Sequence, residues 1–216
     1  MTRTLFPFAR AHAGPFLALH ASDPSLAGDL SRLEEENAAD QAESDHAPAW
    51  GSGSVQDLVA YVHWLMDRDR KSTGLKALQG RIWEEGYRSG GLHGAVYDDV
   101  PAALRRWRDE GRRVAIFSSG SVLAQRLLFR HSPAGDLTTL LAGYFDTTTG
   151  AKSDPQSYGR IAERLDVAPA AVLFVSDSTL ELDAARIAGM ETALSARDAA
   201  PPHSAHRVVR SFDDIP

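Results

Sequence analysis

The chain has 216 residues, a formal net charge of −6 and no cysteine. The missing cysteine excludes disulfides and thiolate metal sites, and the acidic balance without a basic tract disfavours nucleic-acid or anionic-membrane binding. No apolar stretch approaches the roughly 18 residues of a membrane span, and the apolar part of the N-terminal segment is too short for a secretory signal. We expect a soluble cytoplasmic protein with neither a nucleic-acid nor a membrane partner.

The first 92 residues have the pattern of helices. Apolar residues follow Ser54 at helical spacing, and Ser54 with Asp57 resembles a capping box in which Asp replaces Glu. A second helical pattern runs from Leu75 to Tyr87 and ends before a pair of glycines. The polar, small-residue stretch 34–53 predicts a loop or a frayed helix end.

After residue 93, short apolar runs alternate with helical patterns. The runs are 114–117, 144–145, 172–175, 192–194 and 208–209, and the helical patterns are 101–109, 154–165 and 180–188, with a further helix opening after 118–121. Apolar strands separated by helices of this length predict an α/β fold with a parallel sheet covered on both faces. Ligands of such sheets bind beyond the carboxyl ends of the strands.

Three elements follow strand ends or precede helices. The hydroxyls and backbone N–H groups of Ser118-Ser119-Gly120-Ser121 suit an anion such as phosphate, although a helix cap with a turn glycine explains them equally well. Lys152 follows a glycine and precedes a helix, where its ammonium would neutralise a phosphate; a solvated loop lysine is the structural alternative.

The third element is Asp177, at the end of the 172–175 strand. A carboxylate there is a ligand that Mg²⁺ accepts together with phosphate and water oxygens, and the alternative is a helix cap. Ser178 and Glu181 match a capping box, which gives Glu181 a structural role. Asp183 suits the first turn of a helix because of the helix dipole.

The order of these three elements resembles motifs two, three and four of the haloacid dehalogenase (HAD) superfamily of phosphohydrolases. Longer segments resemble one member, the enolase-phosphatase (acireductone synthase) family. They are LFPFAR (5–10), LKALQGRIWEEGY (75–87), FSSGSVLAQRLLFRHSPAGDL (117–137), GYFDTTTGAK (143–152) and SDSTLELDAARIAGM (176–190).

The resemblance implies a HAD-like Rossmannoid core with an inserted helical cap. Residues 1–17 would start the core, 18–92 would form the cap, and 93–216 would complete the core. The family acts in methionine salvage, where one magnesium-dependent enzyme enolises 2,3-diketo-5-methylthiopentyl-1-phosphate and removes the phosphate to give the acireductone. The partner is thus a small phosphorylated diketone, and we expect a monomer.

Site residues are also implied by the resemblance. Ser118 and Ser119 would bind the substrate phosphate, Lys152 would bind substrate, and Asp177 would hold one Mg²⁺ per subunit. The helix 75–87 of the cap would help to close the site.

The first motif of the family is an apolar strand ending in Asp-x-Glu-Gly-Thr-Thr, with a nucleophilic Asp and an acidic Glu. Because LFPFAR lies at residues 5–10, we expect this strand and its two acids upstream of Met1, and no catalytic nucleophile within the chain. Asp146 follows a strand but occupies the FDTT position of the family, and Asp98-Asp99 suits a helix cap. We expect the 216-residue form to be a poor phosphatase.

Two explanations of the shortened first motif remain open. One is a start codon assigned too far downstream; the other is a truncated, catalytically dead remnant that binds phosphate or a protein partner. A related HAD phosphatase acting on another small phosphomonoester is a further alternative.

Overall fold

The computed structural model describes residues 2–43, 46–50, 53–197 and 204–216. The chain divides into two compact units, residues 1–92 and residues 93–216. None of the described helices is long and apolar enough to cross a membrane.

The first unit is helical, as predicted. Its helices are α1 (Thr2–His20), α2 (Ala27–Glu43), α3 (Val55–Asp67) and α4 (Thr73–Arg88). Ser54 caps α3 by accepting a hydrogen bond from the Asp57 N–H at 3.1 Å, and α1 packs against α3 and α4. The core consists of fully buried apolar side chains, among them Leu17, Leu33, Leu58, Leu65 and Leu78.

Residues 1–17 lie in this helical unit, whereas the sequence interpretation assigned them to the start of the core domain. The reason is the apolar face of α1, which is buried against its neighbouring helices through Leu5, Ala9, Ala13, Phe16 and Leu17.

The prediction of a loop or a frayed helix end over 34–53 is wrong for residues 34–43, which form the regular second half of α2. Three of their polar side chains, those of Glu36, Asn37 and Asp40, are paired inside the unit, whereas those of Glu34 and Glu35 are exposed. The Glu36 carboxylate accepts hydrogen bonds from Ser72 Oγ and from the N–H groups of Thr73 and Gly74, and so caps α4. Residues 44–45 and 51–52 of this stretch lie outside the described residues.

The second unit alternates strands and helices at the predicted places. Its strands are β1 (Ala115–Phe117), β2 (Gly143–Phe145), β3 (Leu173–Ser176), β4 (Glu191–Ser195) and β5 (Arg207–Val209). Its helices are α5 (Val100–Asp109), α6 (Val122–Arg130), α7 (Pro155–Arg164) and α8 (Thr179–Ile187). Every strand pair is parallel, which confirms the predicted α/β architecture.

The strands form two sheets, of order β1–β2 and β3–β4–β5. Val114, beside β1, and Val175 of β3 pack on one hydrophobic cluster, while Phe117 and Phe174 pack on a second. The two sheets therefore pack against the same two clusters. Tyr158 spans them, with its ring centroid 5.7 Å from that of Phe117 and 4.9 Å from that of Phe174.

A cavity of about 780 Å³ lies between the sheets and is lined by both β1 and β3; we call it the inter-sheet cavity. The apolar residues of these strands are consequently only half-buried, and Leu173 is 38% exposed. Fully buried strands, expected from the all-apolar runs, would require neighbours on both edges. In the described part of the chain, each of β1 and β3 pairs along one edge only.

Candidate active site

The carboxyl ends of β3 and β4 border a second cavity, of about 570 Å³, which we call the strand-tip pocket. The residues that line it include Tyr97, Lys152, Ser176, Asp177, Thr179, Arg197 and Phe212. The fold thus brings together Lys152 and Asp177, which are 25 positions apart in the sequence. A pocket at the ends of parallel strands is where ligands of α/β sheets bind.

Ser118 and Ser119 do not line this pocket, but they lie at the neighbouring strand end. Lys152 Nζ is 5.8 Å from the ring centroid of Phe117, which directly precedes Ser118. The Ser118 N–H donates to the Phe145 carbonyl at 3.0 Å, and Ser118 Oγ accepts from the Gly120 N–H at 3.1 Å. The β1 tip is therefore a hydrogen-bonded turn adjacent to the lysine.

The helix cap considered for this serine cluster is supplied by Ser121. Its Oγ accepts from the Ala124 N–H at 3.2 Å at the start of α6. Ser119 makes no side-chain hydrogen bond within the described residues. Ser121 therefore performs the capping, and Ser119 is an exposed residue of the same turn.

Lys152 is not a solvated loop lysine. Its Nζ forms an ion pair with Glu181 Oε2 at 2.7 Å, and its side chain is only 24% exposed. The Tyr158 hydroxyl donates to the Lys152 carbonyl at 2.6 Å, which fixes the backbone of the loop. Gly150 permits this loop path because its φ is +143°, and a Cβ there would lie 2.2 Å from Ser157 Oγ.

Glu181, which the sequence interpretation treated as a capping residue, contacts two residues of the strand-tip pocket. Ser178 makes no side-chain cap, so the predicted capping box is wrong. Glu181 instead accepts from Ser176 Oγ at 2.7 Å and pairs with Lys152, because a charged partner in a partly buried site binds a carboxylate more strongly than a helix N–H does. The sequence signal that could have indicated this role is the spacing of Asp177 and Glu181, which lie four positions apart where a helix begins.

Asp177 is an exposed residue on the strand-tip pocket. Its carboxylate has no ion pair or side-chain hydrogen bond with any described residue. Asp183, in contrast, pairs with Arg186 at 2.7 Å and with His206 at 3.3 Å and is not among the pocket residues.

The donor set fits a hard cation only in part. The described residues contain no group of three or more His, Cys, Asp or Glu side chains placed to hold a metal ion. One carboxylate in the same pocket as a lysine ammonium nevertheless matches Mg²⁺, which is held by one or two carboxylates together with phosphate and water oxygens.

Two aspartates set aside as nucleophiles have structural partners. Asp146 Oδ1 accepts from Thr148 Oγ1 at 2.6 Å, and its Oδ2 from the Val122 N–H at 3.4 Å. Asp99, predicted to cap a helix, makes no side-chain cap. Its oxygens bind Arg197 at 2.7 and 2.8 Å. Burial raises the pKa of Asp99, but hydrogen bonds from Arg197 and the Phe212 N–H outweigh burial and hold the pKa below its ordinary value.

Comparisons with known proteins agree with this geometry. A family model for haloacid dehalogenase-like hydrolases matches residues 15–189. The chain is 48% identical over 215 residues to enolase-phosphatase E1 of Synechococcus elongatus, covering 99% of this chain and 90% of that protein. It belongs to the enolase-phosphatase family. Enolase-phosphatase E1 of Serratia proteamaculans is 45% identical over 213 residues, 99% of this chain and 88% of that relative.

Solved structures give the same result for this enolase-phosphatase chain. The Unknown transcript 4 protein of Saccharomyces cerevisiae has a TM-score of 0.81 at 32% identity, covering 99% of this chain and 92% of that one. A HAD phosphatase from Thermococcus onnurineus, at 20% identity, shares the fold with a TM-score of 0.54, over 75% of this chain and 79% of its own. The predicted HAD-like fold and the predicted class, a phosphoric monoester hydrolase, are confirmed. Enzymes of this family are generally metal-dependent.

Proposed function

We propose that this enolase-phosphatase acts in methionine salvage. It enolises 2,3-diketo-5-methylthiopentyl-1-phosphate and removes the phosphate to give the acireductone. The observation that carries the proposal is the meeting of Lys152 and Asp177 in one pocket beside the Ser118-Ser119 turn. Relatives named enolase-phosphatase, 44–48% identical over nearly the whole chain, support this choice of reaction.

Ser118 and Ser119 bind the phosphate in this proposal. The Ser119 hydroxyl supplies a donor, and the helix dipole at the start of α6 favours the negative charge. Lys152, held by Glu181 at 2.7 Å, places a cation beside the same group. The lysine ammonium stabilises the charge that spreads over the phosphoryl oxygens during transfer.

Asp177 would hold one Mg²⁺, together with phosphate and water oxygens and a further carboxylate. The bound ion would offset charge on the transferring phosphoryl group. Because Glu181 is paired with Lys152, Asp177 is the carboxylate that the described residues contribute to the proposed metal site.

The attacking carboxylate comes, in this proposal, from an extended apolar segment that lies in the inter-sheet cavity. β1 and β3 each run parallel to the strand with which they pair. A further strand placed between β1 and β3 would therefore join the two sheets. About five residues would make up to about ten ladder hydrogen bonds. The carboxylate attacks phosphorus, the ester oxygen leaves, and water hydrolyses the resulting aspartyl-phosphate.

The proposal is tested by comparing the 216-residue chain with a form extended ahead of Met1 by an apolar strand ending in Asp-x-Glu. With Mg²⁺ and the diketone phosphate, we expect the extended form to release phosphate at a much higher rate. A matched extension carrying Asn instead of the Asp is expected to be inactive. Equal turnover by all three proteins would contradict the assigned nucleophile, and faster turnover of another phosphate ester would contradict the substrate.

We further propose that the protein is a cytoplasmic monomer that binds neither nucleic acid nor membranes. The net charge of −6 supports the absence of a polyanion partner. Light scattering coupled to size-exclusion chromatography is expected to give a mass close to 23.4 kDa, and a mass of twice that value would contradict the monomer.

A further inference from the structure

The buried amide of Gln125 lies directly beneath the phosphate-binding turn. Gln125 is on the first turns of α6 and has 0% exposure. Its Nε2 donates to the Gly120 carbonyl at 2.8 Å and to the Phe145 carbonyl at 2.9 Å. One side chain therefore ties the turn after β1 to the end of β2.

These two carbonyls belong to the segments that carry the proposed site. Gly120 lies in the Ser118–Ser121 turn, and Phe145 ends the strand that leads toward Lys152. The Phe145 carbonyl also accepts from the Ser118 N–H at 3.0 Å. Because both acceptors are carbonyl oxygens, the amide orientation is fixed with its nitrogen toward the two strand ends.

The amide has a cost that packing alone does not offset. Its Oε1 is buried and has no hydrogen-bond donor among the described residues, and an unpaired buried acceptor is destabilising. An apolar side chain of the same length would fill the space without that cost. The two hydrogen bonds that Nε2 donates therefore explain why a glutamine occupies this position.

We propose that Gln125 is a positioning residue for phosphate binding. It holds the Ser118–Ser121 turn in the geometry in which hydroxyls and N–H groups converge on the phosphate. This inference rests on the proposed role of Ser118 and Ser119, and it adds a residue that does not itself touch the phosphate.

The test uses Gln125→Met, which keeps the side-chain length and removes both hydrogen bonds. Inorganic phosphate is titrated by calorimetry into the full chain, and amide hydrogen exchange is followed over residues 118–121. We expect phosphate to bind about tenfold more weakly, the effect of losing one or two buried hydrogen bonds. Exchange over the turn should accelerate by a similar factor.

Asn37→Leu is the matched control. Asn37 is also a buried amide, 5% exposed, and donates from Nδ2 to the Pro48 carbonyl at 2.8 Å in the helical unit. It should lower the thermal midpoint but leave both phosphate affinity and exchange over 118–121 unchanged. If Gln125→Met behaves like this control, Gln125 has only a stability role and the inference is wrong.

A second variant guards against a folding defect. Gln125→Glu preserves the shape and retains one donor when protonated, whereas the ionised carboxylate would face two carbonyl oxygens. Burial and these oxygens raise the pKa of such a carboxyl group. The phosphate affinity of Gln125→Glu, divided by that of the unsubstituted chain, should fall as the pH rises. If this ratio stays constant, the inference is wrong.

Failure of the proposed function gives a different result. If the unsubstituted chain binds no phosphate, Ser118 and Ser119 lose their assigned role. Hydrogen exchange then decides the remaining claim about Gln125, since faster exchange in Gln125→Met supports its hold on the turn and unchanged exchange refutes it.

Discussion

Two carboxylates of the helical unit and one carboxylate of the α/β unit are used in opposite ways. In the helical unit, Asp40 accepts from the buried Tyr61 hydroxyl at 2.8 Å and also pairs with Arg70. Glu36 accepts three donors at the start of α4. In the α/β unit, Asp177 lies on a pocket with no side-chain partner among the described residues.

The comparison separates structural acids from functional ones. An acid whose oxygens are satisfied by donors stabilises the fold, and its removal costs free energy of unfolding. An exposed acid without protein donors is solvated and adds little to the stability of the fold, so a ligand of the pocket is the role that we assign to it. Glu181 lies between these cases because its partners, Ser176 and Lys152, both belong to the pocket.

The largest expected effect is that of Asp177→Asn. Measured in the form extended by the Asp-x-Glu strand, turnover should fall at least about 100-fold, because a bound ion supplies several kcal/mol of transition-state stabilisation. The thermal midpoint without Mg²⁺ should not decrease, since no side-chain hydrogen bond is lost. Retained Mg²⁺-dependent turnover would remove Asp177 from the metal site.

The structural counterpart is Asp40→Asn. We expect a loss of about 1–3 kcal/mol in the free energy of unfolding, since the Tyr61 hydroxyl and Arg70 lose a charged acceptor. The loss should lie toward the lower end because Arg70 is 46% exposed. Urea unfolding measures it. If Asp40→Asn changes the free energy of phosphate binding more than the free energy of unfolding, Asp40 is not a purely structural acid and the comparison of the two units is wrong.

Glu181→Gln should have an intermediate effect. The amide keeps an oxygen for Ser176 Oγ but loses the charge that orients Lys152. Phosphate affinity should fall about tenfold, which corresponds to about 1.4 kcal/mol. Asp183→Asn is the control on the same helix, because Asp183 pairs with Arg186 at an exposed position. Equal losses in both variants would deny Glu181 its positioning role.

The smallest expected effect is a pH dependence from Asp99. Its pKa is lower in the folded state than its ordinary value of 3.8. The carboxylate therefore contributes stability above pH of about 3.8, and this contribution is lost as the pH falls through the folded-state pKa. Asp99→Asn should flatten the acid limb of a stability–pH curve. An unchanged limb would show that Arg197 does not stabilise the ionised form.

Local patterns predicted the secondary structure well because their causes lie close together in the chain. Ser54 caps α3 through its own neighbour Asp57, and Gly111 and Gly189 follow helices with φ of +79° and +89°. The run 172–175 adopts an extended conformation because it is a short, continuous apolar run without helix signals. The order of Ser118, Lys152 and Asp177 further indicated the HAD superfamily, and the longer matching segments indicated the enolase-phosphatase family.

Partners from distant parts of the chain were not predictable in this way. Glu36 and Asp40 of α2 are paired because Ser72, Tyr61 and Arg70 lie across from them, 21 to 36 positions away. For the same reason, Glu181 pairs with Lys152 and not with Ser178, because Lys152 lies 29 positions earlier in the chain.

The residue order of this protein thus determines its elements, its family and the chemical types at its strand ends, because helix caps, turns and apolar runs depend on neighbours within a few positions. Packing decides which charges meet, that β1 and β3 line a shared cavity, and that Gln125 contacts the Ser118–Ser121 turn. These depend on where separate strands and helices come to lie in space, which no local pattern records.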